Sequence, residues 1–253
     1  VILKIKTDKE LVDSYQKLTK KYKDIIIEKY YEGDDYRVCV INNKVVAVSK
    51  RIPPYIIGDG IKSINQLIND LNSDERRGED HEKPLTKIKI DDEVIRNLNI
   101  NNYGINSILE KGKKLILRQN SNLSTGGIAV DCTDDISEEN KEICIRAAKA
   151  IGLDICGVDI CTKSIKKSLL EEGAIIEVNA APGLRMHSYP AIGKKRNVGI
   201  EIVNMMYNNN PKNIPVISIT GTNGKTTTTR IINSTLSKMG YCVGMTSKIG
   251  RAH

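Results

Sequence analysis

A glycine-rich segment near the end of the chain has the residue types that hold a nucleotide phosphate. Gly221, Gly224, Lys225 and Thr226 follow an apolar stretch and precede a segment with helical character. Glycines let backbone N–H groups approach phosphate oxygens, and a helix N-terminus adds partial positive charge. A lysine at this position reaches the outer phosphates, and the next hydroxyl can bind Mg²⁺. The segment therefore predicts a loop that binds the phosphates of a nucleotide.

This loop departs from the commonest phosphate-binding pattern. That pattern requires a glycine five residues before the second glycine of the motif, and the chain has Ile219 there. An accidental glycine turn is the alternative interpretation. The string G-T-N-G-K-T-T instead resembles the ATP loop of the Mur ligases. The resemblance implies an ATP-binding set of Gly221, Thr222, Asn223, Gly224, Lys225, Thr226 and Thr227.

A second candidate site consists of two acids and an amide. Asp159 lies in an otherwise apolar segment, and Glu177 and Asn179 lie two residues apart in the next predicted strand, so that both face one side. Mg²⁺ prefers oxygen ligands, and this set could bridge Mg²⁺ ions between ATP phosphates. Alternatively, the acids pair with lysines such as Lys163 at a sheet edge. The residues alone leave both interpretations open.

The elements that position these residues follow from periodicity and capping. Helices are predicted to begin at Thr7, at Ser63 and at Ser137, the last ending at Gly152. A hairpin is predicted around Asn42 and Asn43. Residues 72–92 are predicted to be a long loop, either a lid or disordered. Strands are predicted at 25–30 (buried), 36–41, 44–49, 114–118, 155–161, 174–179, 215–219 and 241–245, with a helix at 226–239 before the last.

Composition limits the class of protein. The chain has 253 residues, 40% of them hydrophobic and 28% charged, and no apolar run approaches the ~20 residues of a membrane span. Six cysteines without a C-x-x-C pair indicate reduced thiols in a cytoplasmic protein. The net charge of +8 suits an anionic partner, but Phe and Trp are absent, which argues against nucleic acid. We expect no membrane partner.

Several motifs together resemble one enzyme family. The strings GVDI and EVNAAPGLRMH resemble the ATP-grasp superfamily. Seven motifs, which overlap these two strings and occur in the same order as in the family, resemble the cyanophycin synthetases. The resemblance implies an α/β fold in which residues 1–206 form the C-terminal portion of an α+β ATP-grasp domain. Residues 207–214 would be a linker, and 215–253 the start of a P-loop, Mur ligase-like α/β domain. The matching motifs are Glu28–Arg37, Ile57–Gly60, Asn72–Leu85, Leu117–Gly127, Asp131–Asp134, Gly152–Asp159 and Glu177–His187.

The resemblance also implies a function. An ATP-grasp site would add Asp to a polymer backbone and a Mur-like site would add Arg to the Asp side chain, both through acyl phosphates. ATP and Mg²⁺ would be the cofactors, an Asp/Arg polymer the primer, and the full-length protein a homo-oligomer. The chain lacks an initiator Met and the family's first ATP-grasp half, so we expect an inactive fragment. Residues 249–253 no longer match the family and are expected to be non-native.

Each site residue takes a role from this resemblance. Asp35 would bind ribose, Arg37 and Arg118 would neutralise the acyl-phosphate transition state, and His187 would order the loop after the metal ligands. His81 and Lys83 would belong to a lid in which Lys83 could meet a charged substrate; a solvated loop is the alternative interpretation of Lys83. The hinge beside the adenine would be formed by Glu28, Lys29, Tyr30 and Tyr31. The polymer carboxylate would bind to Asn122, Ser124, Gly126 and Gly127. Mg²⁺ would bind to Asp159, Glu177 and Asn179.

Three other functions are compatible with part of the sequence. A relative that polymerises preformed β-Asp-Arg dipeptides would need only the ATP-grasp site, and its second ATP loop is expected to decay, whereas Lys225 and Thr226 are intact here. A non-catalytic ATP-binding module would not need the paired acids Asp159 and Glu177. A P-loop motor or nucleic-acid ATPase conflicts with the preceding ATP-grasp motifs.

Overall fold

The computed structural model describes residues 5, 7–80, 82–209 and 215–246. His81, residues 249–253 and most of the predicted linker lie outside the described residues. The chain divides into two compact units, residues 1–209 and 210–253.

An antiparallel sheet of five strands organises the first unit, in the order β7-β2-β1-β8-β9. The β1–β2 hairpin turns at Asn42 and Asn43, whose φ angles are 47° and 58°, as two-residue hairpin turns require. The strands of this unit are β1 (Asp34–Ile41), β2 (Lys44–Ile52), β3 (Tyr55–Ile57), β4 (Arg77–Gly78), β5 (Leu85–Thr86), β6 (Lys114–Ile116), β7 (Ile128–Asp131), β8 (Ile155–Thr162) and β9 (Gly173–Asn179).

Helices cover the sheet and build a second core. The four-residue helices α5 (Leu169–Glu172) and α6 (Arg185–Ser188) lie near the ends of β9. The α2 helix has the capping box predicted between Ser63 and Gln66. The longer helices are α1 (Asp8–Thr19), α2 (Ile64–Asn72), α3 (Asp92–Ile100), α4 (Glu138–Ile151), α7 (Val198–Met206) and, in the second unit, α8 (Lys225–Lys238).

The two faces of the sheet differ in chemistry because side chains alternate along each strand. Val38 and Val158 point to an apolar face that α4 covers with Cys144 and Ala148. On the opposite face, the described residues form an apolar cluster near α7, where Cys39 packs with Val198. The rest of that face carries the polar side chains of the candidate site. A separate apolar core joins α2 and α3 to the β3–β6 pair.

Asn140 fixes α4 to the loop before β9 through three backbone hydrogen bonds. The side chain is fully buried; its Nδ2 donates to the carbonyls of Ile165 (2.9 Å) and Lys167 (2.7 Å), and its Oδ1 accepts from Leu169 N–H (2.8 Å). Asn140→Ala removes the side-chain partner of three backbone groups, those of Ile165 and Leu169 in buried positions, and is expected to lower the free energy of unfolding by about 3 kcal/mol.

Urea denaturation of the 253-residue chain measures this loss. Ser137→Ala is the matched control on the same helix, since Ser137 caps α4 and is only half-buried. Loss of a cap costs about 1 kcal/mol. Equal losses for the two variants would contradict the role given to Asn140.

Some predicted elements are wrong. Residues 25–30 form no strand, and Ile26 and Ile27 are 84% and 63% exposed. No described strand pairs with this segment, and an unpaired strand has no stable backbone partner. The loop predicted at 72–92 instead contains the parallel β4–β5 pair, and α3 begins at its end. Asn72 anchors this segment through two hydrogen bonds to the backbone of Ile88 (2.8 and 2.9 Å).

In the second unit, the described residues contain α8 as predicted but no strand. Residues 215–219 and 241–245, predicted as strands, form no regular secondary structure, and Val216 is 82% exposed. Periodicity cannot supply the neighbouring strand that a sheet needs. Among the described residues of the chain, no helix is long and apolar enough to cross a membrane.

Candidate active site

One row of polar side chains crosses all five strands of the main sheet. The register places Asp131 of β7 opposite Ser49 of β2, Ser49 opposite Arg37 of β1, Arg37 opposite Asp159 of β8, and Asp159 opposite Glu177 of β9. Directly opposed residues on one face have Cβ atoms about 5 Å apart. The row therefore concentrates charge in a band across the face opposite α4.

Two arginines hold Asp159 in the middle of this row. Arg37 donates from Nε to Oδ1 (2.6 Å) and from Nη2 to Oδ2 (2.7 Å), and Arg51 Nη1 lies 3.1 Å from Oδ2. All three side chains are at most 14% exposed. Hydrogen bonding to Asp159 raises the pKa of Arg37 despite the opposing effect of burial. Asp159 therefore pairs with two arginines, not with Lys163.

Glu177 and Asn179 present oxygens at the edge of the sheet. Glu177 is exposed, whereas Asp159 is buried. With the Asn179 amide oriented to satisfy both neighbours, its oxygen accepts from Arg37 Nη2 (3.1 Å) and its nitrogen donates to Glu177 Oε1 (3.1 Å). The edge thus combines one carboxylate open to a ligand with the two arginines behind it.

The chemistry of this donor set fits Mg²⁺ in part. Two carboxylates and an amide oxygen are hard ligands of the type that Mg²⁺ takes. Both oxygens of Asp159, however, already accept hydrogen bonds from Arg37, so Glu177 is the carboxylate immediately open to a metal ion. No group of three or more Asp, Glu, His or Cys side chains with metal-binding geometry occurs within the described ranges.

Asp35 connects the row to the polar loop at 119–127. Ser121 Oγ donates to Asp35 Oδ2 (2.6 Å), and Asn120 Oδ1 accepts from the Thr125 hydroxyl (2.8 Å). The loop folds tightly at two glycines: a Cβ at Gly126 would lie 2.5 Å from Ile88 Cγ1, and one at Gly127 would lie 2.8 Å from the Asn122 carbonyl oxygen. Asn122 and Ser124 are left exposed on this frame.

Arg118, one of the two predicted catalytic arginines, is committed to α3. It is 4% exposed and donates to the carboxylates of Asp91 and Glu93 and to the Lys89 carbonyl (3.3 Å). Asp91 caps α3 and Glu93 lies in its first turn. In this arrangement Arg118 fixes the start of α3, and no described contact joins it to Arg37.

The predicted adenine-hinge residues lie on an unpaired segment. Glu28, Lys29 and Tyr30 are exposed, and Lys29 Nζ lies 4.9 Å from the Tyr31 ring centroid. A hydrogen bond from Cys161 Sγ to the Tyr31 carbonyl (3.4 Å) joins the segment to the sheet. This contact brings the segment to β8 two residues from Asp159. The hinge role of the segment stays a prediction.

His187 and Arg196 cover the far end of the row. His187 Nδ1 lies 2.9 Å from Ser49 Oγ, and Arg196 holds Asp131 through Nη2 (2.8 Å) and Nε (3.1 and 3.2 Å). Arg196 N–H also donates to the His187 carbonyl (2.9 Å). The segment after β9 is thereby tied to β2 and β7. The contact with Ser49 suits the loop-ordering role that the resemblance implies for His187, and this role stays a prediction.

The His187 imidazole makes stability depend on pH. The imidazole is 1% exposed, and its pKa is lowered to about 4, mainly by burial. Repulsion from Arg37 contributes to this lowering and outweighs the attraction to Asp131, which raises the pKa. An unfolded histidine titrates near pH ~6.5. As pH falls from about 6.5 to about 4, the unfolded chain binds the proton and the folded chain does not. We expect this group to lower the free energy of unfolding by roughly 3 kcal/mol across that window.

Urea denaturation at several pH values, compared between the parent chain and His187→Gln, tests this prediction. The difference between the two proteins removes the contribution of carboxylates that also titrate in acid. We expect the difference in stability to be constant above pH ~7 and to change between ~6.5 and ~4. A difference independent of pH would show that His187 is not held neutral by burial.

In the second unit, the candidate phosphate loop precedes α8. Gly221 and Gly224 have φ angles of 144° and 77°, which favour glycine. Lys225 Nζ donates to the carbonyls of Gly221 and, at 2.9 Å, of Thr222. Residues 221–225 are all exposed. Lys225 thus folds back over the loop whose phosphate it is predicted to bind.

Sequence reasoning missed several residues of the site. Arg51, Ser49 and Ser121 contact predicted site residues but were not identified individually. Arg51 lies two residues after Ser49 on β2, and residues two apart on a strand face the same side of a sheet. This alternation could have predicted that both side chains lie on one face. Ser121 lies in a loop, where no periodicity indicates which side chain meets Asp35.

Comparisons with known proteins agree with this architecture. Residues 86–206 match the RimK-like ATP-grasp domain family. The cyanophycin synthetase of Synechocystis sp. is 48% identical over 229 residues, which cover 90% of this chain and 26% of that protein. A glutathione biosynthesis bifunctional protein of Listeria innocua is 40% identical over 185 residues, covering 72% of this chain and 24% of that protein.

A solved structure shares the fold. The bifunctional glutathione synthetase from Pasteurella multocida has a TM-score of 0.62 at 32% identity, covering 71% of this chain and 25% of that one. The predicted ATP-grasp fold, with its mixed α/β architecture, is confirmed. The chain spans about a quarter of the length of these relatives.

Proposed function

This chain is a homologue of the cyanophycin synthetases with an ATP-grasp domain, and from this premise we propose that it is part of a two-site ATP-dependent ligase. The ATP-grasp site would add Asp to the backbone of an Asp/Arg polymer, and the unit containing Lys225 would take part in adding Arg to the Asp side chain. The observation that carries the proposal is the 48% identity across 90% of the chain.

In the proposed reaction, the polymer carboxylate attacks the γ-phosphorus of ATP, and ADP leaves. The amine of Asp then attacks the acyl phosphate, forms an amide, and releases phosphate and a proton. Arg37 and Arg51 supply positive charge beside the sheet edge, where charge on the transferring phosphoryl group needs stabilisation. The exposed face of the 119–127 loop, including Asn122 and Ser124, would receive the polymer end.

Glu177 and Asn179, with Asp159 behind them, would hold Mg²⁺. The ion would neutralise charge on the ATP phosphates when it is bound. Asp35, fixed by Ser121, would accept hydrogen bonds from the ribose hydroxyls. In the second unit, Lys225 would turn from the loop carbonyls to a phosphate, because a phosphate is a stronger partner for an ammonium than a peptide carbonyl.

The test uses the full-length gene product that carries this chain. It is incubated with Mg-ATP, labelled Asp, labelled Arg and a short β-Asp-Arg primer, and label in the polymer is followed. We expect both labels to enter in equal amounts.

Lys225→Ala is expected to stop Arg addition first, leaving the Asp-adding site intact for one round.

Other outcomes separate the alternatives. Incorporation of β-Asp-Arg dipeptide, with neither free amino acid entering, would assign the protein to the dipeptide-polymerising relatives and refute the two-site proposal. That relative stays a candidate because its reaction needs only the ATP-grasp site. ATP binding without any incorporation would reduce the chain to a binding module.

A further inference from the structure

A cavity of about 510 Å³ lies in the first unit, beside the edge of the main sheet. Its apolar wall includes Pro54, Ile57, Leu71 and Ile128. The volume falls within the ~300–1,000 Å³ typical of small-molecule sites. Of the residues assigned above to ATP, metal or polymer, only Gly126 lines this cavity. The proposed ligase reaction therefore leaves it without a role.

Arg77 lines the cavity as a buried cation that forms no ion pair with any residue the structure describes. It is 4% exposed, and its Nη1 donates to the carbonyls of Thr86 and Gly126 (3.3 Å). Its Nε is buried and has no partner among the described residues. Burial lowers the pKa of Arg77, although nearby Asp74 partly opposes this effect. A guanidinium has five N–H donors, so this side chain keeps unused bonding capacity.

The acids near Arg77 are already neutralised by other cations. Asp74 accepts from Arg76 through both oxygens, with Nη2 2.8 Å from Oδ2, and Arg76 holds the pKa of Asp74 at about 2. Asp70 pairs with Lys62 at 2.6 Å. Neither acid ion-pairs with Arg77 in the described structure. Both acids and Arg76 also line the cavity. Because Arg76 is already paired with Asp74 and a buried charge left uncompensated is strongly unfavourable, Arg77 is the lining cation that a ligand anion would stabilise.

We propose that this cavity binds a monocarboxylate with an apolar body. The carboxylate pairs with Arg77, and the body packs against Pro54, Ile57 and Leu71. A carboxylate is the anion that suits a guanidinium in an apolar pocket, since its two oxygens accept parallel N–H donors. Because Arg77 also donates to the Gly126 carbonyl, the bound ligand contacts the group that holds the end of the 119–127 loop.

Hexanoate and its neutral isostere hexanamide are the probes, and the 253-residue chain is the protein. Ligand-observed NMR gives the Kd of each without ATP or Mg²⁺, so this test is independent of the ligase activity. We expect hexanoate to bind at least tenfold more tightly than hexanamide, as a charge-assisted bond to a buried guanidinium provides. Equal binding of the two probes, or binding of neither at millimolar concentration, overturns the proposal.

Two variants and a control locate the site. Arg77→Met is expected to reduce hexanoate affinity to that of hexanamide, and Arg96→Met, which removes an exposed arginine outside the cavity, is expected to leave it unchanged. Ala191→Phe fills the cavity without altering Arg77 and is expected to abolish binding of both probes. Hexanoate binding that survives Ala191→Phe would place the ligand elsewhere. The hexanoate–hexanamide comparison on the parent chain stands even if Arg77→Met fails to fold.

Discussion

Glu177→Gln is expected to slow Asp incorporation by the full-length protein by about 10²–10³-fold. Glu177 is the exposed carboxylate at the end of the polar row, whereas Asp159 beside it is buried and paired with two arginines. Glutamine keeps the shape and one acceptor oxygen toward Asn179, so the edge of β9 is retained. The substitution removes one negative charge where the proposed Mg²⁺ and the ATP phosphates meet.

The dependence of the rate on Mg²⁺ concentration separates a loss of metal binding from a general loss of structure in this variant. Initial rates of Asp incorporation are recorded across Mg²⁺ concentrations, and we expect Glu177→Gln to raise the concentration for half-maximal rate as well as to lower the maximum. Glu171→Gln, an exposed acid in the short helix before β9, is the matched control and should leave both values unchanged. A Glu177→Gln enzyme within threefold of the parent rate would remove Glu177 from the proposed metal site.

Local sequence signals predicted the hairpin and the best-capped helices. Asn42 and Asn43 adopt the positive φ that their position between two β-rich segments predicts, and α4 runs between its predicted caps, Ser137 and Gly152. The strands predicted at 25–30, 215–219 and 241–245 were wrong. Whether an apolar segment becomes a strand depends on a partner elsewhere, which the segment does not encode.

For the candidate site too, local signals predicted single residues but not the partners that the strand order brings to them. Asp159 and Glu177 fall in consecutive predicted strands, and the structure does bring them opposite each other. Arg51 reaches Asp159 only because β2 and β8 both flank β1, and that strand order is a property of the whole chain. Arg118 bonds to α3, which begins at Asp92, where the predicted loop at 72–92 ends. No helix was predicted there from the sequence. The catalytic role of Arg118 stays a prediction.

Asp159→Ala is expected to destabilise the first unit by about 3–5 kcal/mol, because removing one member of a buried ionic group leaves the others without compensation. Arg37 and Arg51 are 13% and 14% exposed, and no other described carboxylate forms an ion pair with either. Their two positive charges would then lie beside each other on the sheet. The cost comes from uncompensated charge, not from lost packing, since Asp159 is small.

The buried thiols of the sheet report this loss directly. Cys39, Cys144 and Cys156 are fully buried and Cys242 is exposed, so alkylation followed by mass spectrometry in increasing urea measures opening of the first unit. Asp154→Ala, at an exposed position just before β8, is the control and should change stability by less than ~0.5 kcal/mol. An Asp159→Ala loss no larger than that of the control would mean that the arginines find other partners.

A triple variant separates the cost of unpaired charge from the value of the ion pair itself. Replacing Arg37 and Arg51 by Met and Asp159 by Leu removes the whole buried ionic group, and such replacements are often neutral or stabilising. We expect the triple variant to recover most of the stability lost in Asp159→Ala and to show no ligase activity in the full-length protein. Recovered stability with lost activity would mean that this group is retained for phosphate chemistry, because an apolar sheet face would fold as well. Recovered activity would contradict the proposed role of Arg37 at the transferring phosphoryl group.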